Sequence, residues 1–147
     1  MNALLTLGTF DLFHAGHAEF LAACRELAGH VTASLNTSRF VIEFKKQAPT
    51  MTLEEREAVV RSCRYVDMTV ACDSQNAEPT IRDWMYRARQ AGHTPKIIAI
   101  GSDWRNKAYL EQLGITEDFL RKEGLLVVYI HTTHPLHSSE IKWRLSR

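Results

Sequence analysis

The sequence predicts an α/β protein with one doubly wound domain, residues 1–147, around a five-stranded parallel sheet. Short apolar runs alternate along the chain with segments whose apolar residues recur at helical spacing. The runs are almost uninterrupted by polar residues, as expected for parallel strands covered on both faces. A length of 147 residues with 45% apolar and 24% charged residues suits a single domain with a sizeable core.

The first half of the chain contains three predicted strands. The apolar run LLTL ends at Gly8 as strand one, and the helix that follows ends before Gly29. After a second strand and an irregular segment, the pattern TLEE indicates a capped helix start, and alternating apolar residues indicate a third strand. The three strands are predicted at residues 4–7, 31–35 and 65–71. The two helices are predicted at residues 17–28 and 52–64, and the irregular segment at residues 36–50.

The second half continues the alternation of helix and strand. A helix follows Pro79 and ends at Gly92, and the strand KIIAI is closed by Gly101. A mostly helical stretch with a break near Gly114 and a new cap at Thr116 leads to the strand LLVVYI and a closing helix. The two strands are predicted at residues 96–100 and 125–130. The helical segments are predicted at residues 80–91, 104–123 and 138–145. The order is that of a Rossmann-like fold, in which ligands bind beyond the carboxyl ends of the strands.

The bulk composition excludes several classes of protein. The net charge of +1 gives no general attraction to nucleic acid or to anionic membranes. The three cysteines form no CxxC motif, so a zinc ribbon is not indicated and a reduced, cytoplasmic setting is the simplest interpretation. The N-terminus lacks the features of a signal peptide, and no apolar stretch is long enough to cross a bilayer.

The most informative stretch is GTFDLFHAGH, residues 8–17, where strand one meets the first helix. Gly8 allows the backbone to approach a ligand closely, and a helix N-terminus offers free N–H groups, which together favour phosphate binding. The G-x-G-x-x-G and Walker patterns are absent; instead His14 and His17 can donate hydrogen bonds to one phosphoryl group. These two histidines could also be half of a zinc site completed by His131, His134 or His137, although no metal site is predicted.

Four motifs carry a resemblance to a known family. GTFDLFHAGH resembles the GTFD-x-x-H-x-GH signature of the cytidylyltransferase-type nucleotidyltransferases. LEEREAVV and RYVD, which contain Arg56 and Arg64, are similar to the family's second region. GSDW at residues 101–104 resembles the family's G-D-D-W turn, and LHSSEI at residues 136–141 resembles its I-S-T-T-x-I segment. The resemblance spans nearly the whole chain and is strongest to glycerol-3-phosphate cytidylyltransferases.

The resemblance implies a reaction between CTP, as its Mg²⁺ complex, and a small phosphorylated alcohol, with release of pyrophosphate. It also implies a homodimer. The catalytic residues implied are His14, His17, Lys46 and Arg64. The residues implied to bind the nucleotide or the substrate are Gly8, Thr9, Phe10, Asp11, Gly16, Lys45, Arg56, Gly101, Asp103, Trp104, His137, Ser138 and Ser139. For Asp11 two roles stay open, a magnesium ligand or a group that orders the turn.

The chain departs from the family pattern near its end. Residues 131–135 contain no arginine where family members usually carry one, His137 replaces the serine of I-S-T-T, and Ser102 replaces the first aspartate of G-D-D-W. Alternative functions therefore stay open: an ATP-dependent adenylyltransferase of the same superfamily, a catalytically silent nucleotide-binding module, or a zinc-binding module.

Overall fold

Five parallel strands form one sheet in the order β3-β2-β1-β4-β5. A computed structural model describes residues 1–73, 75–102, 109–134 and 136–147. The strands are β1 Asn2–Gly8, β2 His30–Asn36, β3 Met68–Cys72, β4 Thr94–Gly101 and β5 Leu126–Ile130. β1 pairs with β2 on one side and with β4 on the other, so the strand order reverses between β1 and β4. The predicted α/β fold with a five-stranded parallel sheet is confirmed.

Helices cover both faces of this sheet. They are α1 Ala15–Leu27, α2 Ser38–Lys45, α3 Leu53–Arg61, α4 Glu78–Gln90, α5 Tyr109–Gln112, α6 Glu117–Glu123 and α7 Ser138–Ser146. Alternate residues of β1 point to opposite faces: Leu5 packs in a core with Trp84 of α4, and Leu4 packs in a core with Cys24 of α1. No helix of the described ranges is long and apolar enough to cross a membrane.

The segment predicted as irregular, residues 36–50, contains a helix, and that prediction is wrong over α2. The side chain of Thr37 caps the helix by accepting a hydrogen bond from Phe40 N, and Phe40 and Val41 are buried. Lys46 ends the helix in the left-handed conformation with φ of 59°. Phe40 and Val41 anchor this short helix among its described side chains, and Lys45, Lys46 and Pro49 at and beyond its end hide the helical period in the sequence.

Other element boundaries shift by a few residues. β3 begins at Met68 rather than at residue 65, because Val66 N bonds Cys63 O in a turn and Asp67 N bonds Val31 O. Asp67 also pairs with Arg25 at 2.7 Å. The predicted break at Gly114 is confirmed by its positive φ of 69°. The predicted cap at Thr116 is confirmed by its hydrogen bond from Phe119 N.

Candidate active site

A cavity of about 310 Å³ opens at the carboxyl ends of β1 and β4, where the strand order reverses. Gly8 ends β1, Gly101 ends β4, and both line the cavity. Thr9, Phe10 and Asp11 line it next to Gly8. The cavity therefore lies where a doubly wound sheet normally binds its ligand.

His14 and His17 form the first turn of α1 by capping each other's backbone. His14 is the N-cap residue, and its Nδ1 accepts a hydrogen bond from Gly16 N at 3.0 Å. Nδ1 of His17 accepts from His14 N at 3.2 Å. Since Nδ1 accepts in both rings, each neutral imidazole carries its proton on Nε2. The rings stack with centroids 3.9 Å apart, and His17 lines the cavity.

Both imidazoles are neutral near pH 7. Burial, helped by the nearby His14 and opposed by Asp11, lowers the pKa of His17 to about 4. Burial also lowers the pKa of His14, with smaller contributions from His137 and His134. The pair therefore offers two uncharged N–H donors beside the N-terminus of a helix, which suits an anionic ligand.

The chain between Gly8 and His17 has two special features, an unusual backbone conformation at two residues and very close packing at Gly16. Phe10 and Leu12 have positive φ values of 54° and 50°, a conformation that non-glycine residues rarely adopt and that is frequent at functional sites. A Cβ on Gly16 would lie 2.9 Å from Cε1 of His14 and 2.9 Å from the carbonyl oxygen of Leu136. Only glycine allows the histidine pair and the chain before α7 to approach each other this closely.

Asp11 orders the loop before α3. Its Oδ2 accepts from Thr50 N at 2.7 Å, and its Oδ1 accepts from Met51 N at 2.9 Å. Ser138, at the start of α7, donates its hydroxyl to the carbonyl oxygen of Asp11 at 2.8 Å. Both carboxylate oxygens are occupied by backbone N–H groups, which supports the turn-ordering role that the sequence left open.

Arg56 does not lie where the sequence analysis expected it. Its guanidinium is fully buried and donates to four protein oxygens rather than facing the cavity. The acceptors are the carbonyl oxygens of Met51, Thr9 and Asn36 and the hydroxyl of Ser38. Four of the five N–H donors of an arginine are thereby used. The structure corrects the expected phosphate clamp at Arg56, which instead holds the loops that form the cavity.

The other predicted residues fall into three groups. Lys45 and Ser138 line the cavity with His17, and the charges of His134 and His137 act on the pKa of His14. Lys46, Arg64 and Ser139 are exposed and do not line the cavity; Arg64 stacks over Tyr65 with its guanidinium 5.0 Å from the ring centroid. Asp103 and Trp104 lie outside the described residues.

Lys142 and Asn36 are not among the predicted site residues, although Asn36 directly follows a predicted strand, at a carboxyl end where ligands are expected. Lys142 of α7 lines the cavity, and its Nζ lies 4.0 Å from Oδ2 of Asp11. Its position one turn after Ser138 was the available signal, since residues four apart share a helix face. Asn36 lines the cavity at the end of β2, and its Nδ2 donates to the hydroxyl of Thr9 at 3.5 Å. Polar residues at the carboxyl ends of strands are candidate ligand-binding residues in this fold.

The histidine-rich composition does not create a metal cluster in the part of the chain that the structure describes. Within residues 1–73, 75–102, 109–134 and 136–147, no group of three or more His, Cys, Asp or Glu side chains could hold a metal ion. His14 and His17 use Nδ1 to cap the helix.

Comparisons with a family model and with curated proteins both match this chain to cytidylyltransferases. A family model described as Cytidylyltransferase-like matches residues 5–144. Glycerol-3-phosphate cytidylyltransferase of Bacillus subtilis (strain 168) is 28% identical over 142 residues, covering 97% of this chain and 95% of that protein. Ethanolamine-phosphate cytidylyltransferase of Dictyostelium discoideum is 45% identical over 126 residues, covering 84% of this chain and 35% of that protein.

The fold has a solved counterpart at low sequence identity. The lipopolysaccharide core biosynthesis protein from Thermoplasma volcanium GSS1 superposes with a TM-score of 0.61 at 19% identity. The match covers 90% of this chain and 97% of that one. At this identity the likeness concerns the fold alone.

Proposed function

Because this chain belongs to the cytidylyltransferase-like family, whose model spans residues 5–144, we propose that it transfers a cytidylyl group from CTP to a small phosphorylated alcohol. Glycerol 3-phosphate is the first candidate acceptor, since the relative from Bacillus subtilis that matches over 97% of this chain carries that name. The observation that supports the proposal best is the reciprocal capping of His14 and His17, which leaves two neutral Nε2–H donors, one on the cavity-lining His17 and one on the ring stacked against it. The chain is a nucleotidyltransferase whichever acceptor it uses.

The proposed reaction is an in-line substitution at the α-phosphorus of CTP. A phosphate oxygen of the acceptor forms a bond to that phosphorus, the bond to the bridging oxygen breaks, and pyrophosphate leaves with the electron pair. The acceptor phosphate is ionised near neutral pH, so no dedicated general base is needed. Catalysis then consists of positioning and of stabilising negative charge in the transition state, which hydrogen-bond donors and cations provide.

We assign the phosphate-binding groups from their place around the cavity. His17 and its stacking partner His14 donate to the phosphates, with Ser138 at the start of α7 beside them. Lys45 and Lys142 supply positive charge from opposite elements, α2 and α7, because both line the cavity. Lys46 and Arg64 stay predictions as catalytic residues, and Gly101 borders the nucleoside in this assignment.

Magnesium is proposed as part of the substrate, carried on the nucleotide phosphates. Asp11 is unsuited to hold it, since both carboxylate oxygens already accept backbone N–H groups. Mg²⁺ prefers phosphate oxygens and water in nucleotide complexes and needs few protein ligands.

Pyrophosphate release with Mg²⁺ tests the function directly. CTP and ATP are compared across glycerol 3-phosphate, phosphocholine, phosphoethanolamine, ribitol 5-phosphate, sugar 1-phosphates and flavin mononucleotide. Turnover with CTP and one acceptor supports the proposal and identifies the acceptor. Turnover with ATP alone contradicts the cytidylyl assignment and supports an adenylyltransferase. If no pair reacts while CTP still raises the melting temperature, as a ligand of the native state must, the binding-module alternative is favoured.

Replacing Lys142 with methionine is expected to weaken nucleoside triphosphate binding about 10- to 150-fold, because an ammonium that contacts a phosphate contributes on the order of 1.5–3 kcal/mol. In the described part of the chain, its one charged partner is Asp11 at 4.0 Å, beyond hydrogen-bond distance, so its donors remain for a ligand. Calorimetric titration with CTP and CMP measures the effect. The loss should be larger for CTP; Lys122→Met, an exposed residue of α6, is the control. Equal CTP affinity in Lys142→Met and wild type contradicts the assignment.

We also propose that the protein acts in the cytoplasm as a homodimer, as the resemblance to its family suggests. Sedimentation at micromolar concentration is expected to give the mass of two 16.8 kDa chains. A single species of monomer mass under these conditions contradicts the proposal.

A further inference from the structure

The chain between β5 and α7 is attached to α1 through one carboxylate. Glu19 accepts three hydrogen bonds from it: Thr133 N to Oε1 at 3.0 Å, Thr133 Oγ1 to Oε1 at 3.1 Å and His134 N to Oε2 at 2.9 Å. These donors come from two consecutive residues, so the carboxylate fixes both the place and the direction of the backbone. Glu19 lies in α1 two residues after His17, so this anchor belongs to the same helix as the histidine pair.

Two further contacts hold the end of this segment against the chain that runs from the end of β1 into α1. The carbonyl oxygen of Leu136 lies close to Gly16, where it would be 2.9 Å from a Cβ. Ser138 donates its hydroxyl to the carbonyl oxygen of Asp11 at 2.8 Å. The segment is thus fixed at its middle by α1 and at its end by the loop that follows β1. His137 lies in the chain between Leu136 and Ser138, the two residues that make these contacts.

A hydrogen bond also joins two residues within this segment. Nδ1 of His134 accepts a hydrogen bond from Leu136 N at 3.1 Å, which leaves Nε2 of its neutral ring as the donor. Burial lowers the pKa of His14, and His137 and His134 add smaller decreases, so this segment acts electrostatically on the histidine pair. No arginine is present among residues 131–135. The placement of these donors therefore depends on how the backbone is anchored.

We propose that Glu19 is a positioning residue of the active site, which holds the Thr133–His134 backbone so that His137 and Ser138 face the histidine pair. The proposal rests on the proposed function, since it assigns those groups to the nucleotide phosphates. Glu19 acts through the segment and does not touch the substrate. Without the carboxylate, two backbone N–H groups and one hydroxyl lose their acceptor, and the segment loses its three hydrogen bonds to α1.

The negative charge of Glu19 strengthens its hold on the backbone of residues 133 and 134. Hydrogen bonds to an ionised carboxylate are shorter and stronger than those to neutral oxygens. The hydrogen bonds from Thr133 and His134 lower the pKa of Glu19, so the anchor stays ionised throughout the neutral range. Glutamine at this position retains one carbonyl oxygen, but its NH₂ group would face a donor. Glu19→Gln should therefore preserve only part of the anchor.

The experiment compares Glu19→Ala, Glu19→Gln and Thr133→Val with Glu26→Ala, which changes an exposed glutamate near the opposite end of α1. In Glu19→Ala we expect the KM for the nucleotide to rise about tenfold, the free-energy equivalent of losing charged hydrogen bonds. The KM for the acceptor should change less than about twofold. Glu19→Gln should give an intermediate value. Thr133→Val removes one of the three hydrogen bonds without altering charge and should give the smallest increase.

NMR of the histidine side chains provides a readout that does not depend on turnover. The imidazole resonances of His14 and His137 are expected to shift in Glu19→Ala and to stay at their wild-type positions in Glu26→Ala. If the wild-type protein turns over no nucleotide, the proposed function fails, and the resonances still decide whether Glu19 positions these rings. Wild-type kinetics and wild-type resonances in Glu19→Ala would overturn the inference, also where the melting temperature falls.

Discussion

Replacing His14 or His17 with asparagine is expected to lower turnover by ~10²–10³-fold while the fold is retained, the usual cost of losing one preorganised donor to a developing negative charge. Asparagine is the informative substitution because its Oδ1 can occupy the place of Nδ1 and keep the backbone cap. It offers nothing at the place of Nε2. The variants therefore separate the two roles that each ring combines, since Nδ1 accepts from the backbone and Nε2–H remains for the ligand.

Steady-state pyrophosphate release measures the loss, and circular dichroism with thermal melting reports the fold. Alanine at the same positions should add a loss of stability on the order of 1 kcal/mol, because it removes the cap as well. His93→Asn is the control, since His93 lies beside His30 at the other end of the sheet. Near-wild-type turnover in His17→Asn with an intact fold would remove His17 from the proposed mechanism.

Replacing Arg56 with methionine is expected to lower the free energy of unfolding by about 3–5 kcal/mol, because several buried acceptors lose their donor at a cost of about 1–3 kcal/mol each. Methionine fills part of the volume, but the carbonyl oxygens of Met51, Thr9 and Asn36 lose their donor. A buried acceptor without a partner carries a desolvation cost that the native state cannot avoid. Lysine should not rescue the protein fully, because an ammonium cannot reproduce the planar fork that joins three loops.

Urea unfolding followed by circular dichroism measures this change. Arg61→Met is the matched control: Arg61 is the last residue of the same helix, and its exposed ion pair with Glu57 should contribute about 0–1 kcal/mol. An Arg56→Met variant with wild-type stability that still loses nucleotide binding would show that the arginine contacts the ligand after all. That result would restore the role that the sequence analysis assigned to it.

The sheet and the histidine motif could be predicted because their signals are local. A buried parallel strand is an apolar run, and the run LLTL followed by Gly8 coincides with the end of β1 in the structure. The role of His14 at a helix start follows from the strand-to-helix change around it. Helix α2 escaped prediction because its stability comes from tertiary burial of Phe40 and Val41 rather than from a long periodic pattern.

Roles that depend on distant partners could not be derived from the sequence. Arg56 was expected to bind phosphate because arginine commonly does, but its acceptors are 20 and 47 residues away in the chain, at Asn36 and Thr9. Glu19 meets Thr133 across 114 residues, and nothing in the local sequence distinguishes it from any exposed helical glutamate. Lys142 becomes recognisable only when α7 is seen to face the cavity.

The reciprocal cap at the start of α1 has a consequence for how the protein responds to acid. An imidazolium has no lone pair, so protonation of either ring at Nδ1 removes the acceptor that closes the first turn. The positive charge would also lie at the end of the helix where cations are unfavourable. Because the pKa of His17 is lowered to about 4 from 6.5, its contribution to stability is complete above pH 6.5 and declines as the pH falls toward 4. Protonation of His17 therefore opens the first turn of α1, which positions both Nε2–H donors, so we expect the site to lose its geometry as the pH falls from 6.5 toward 4.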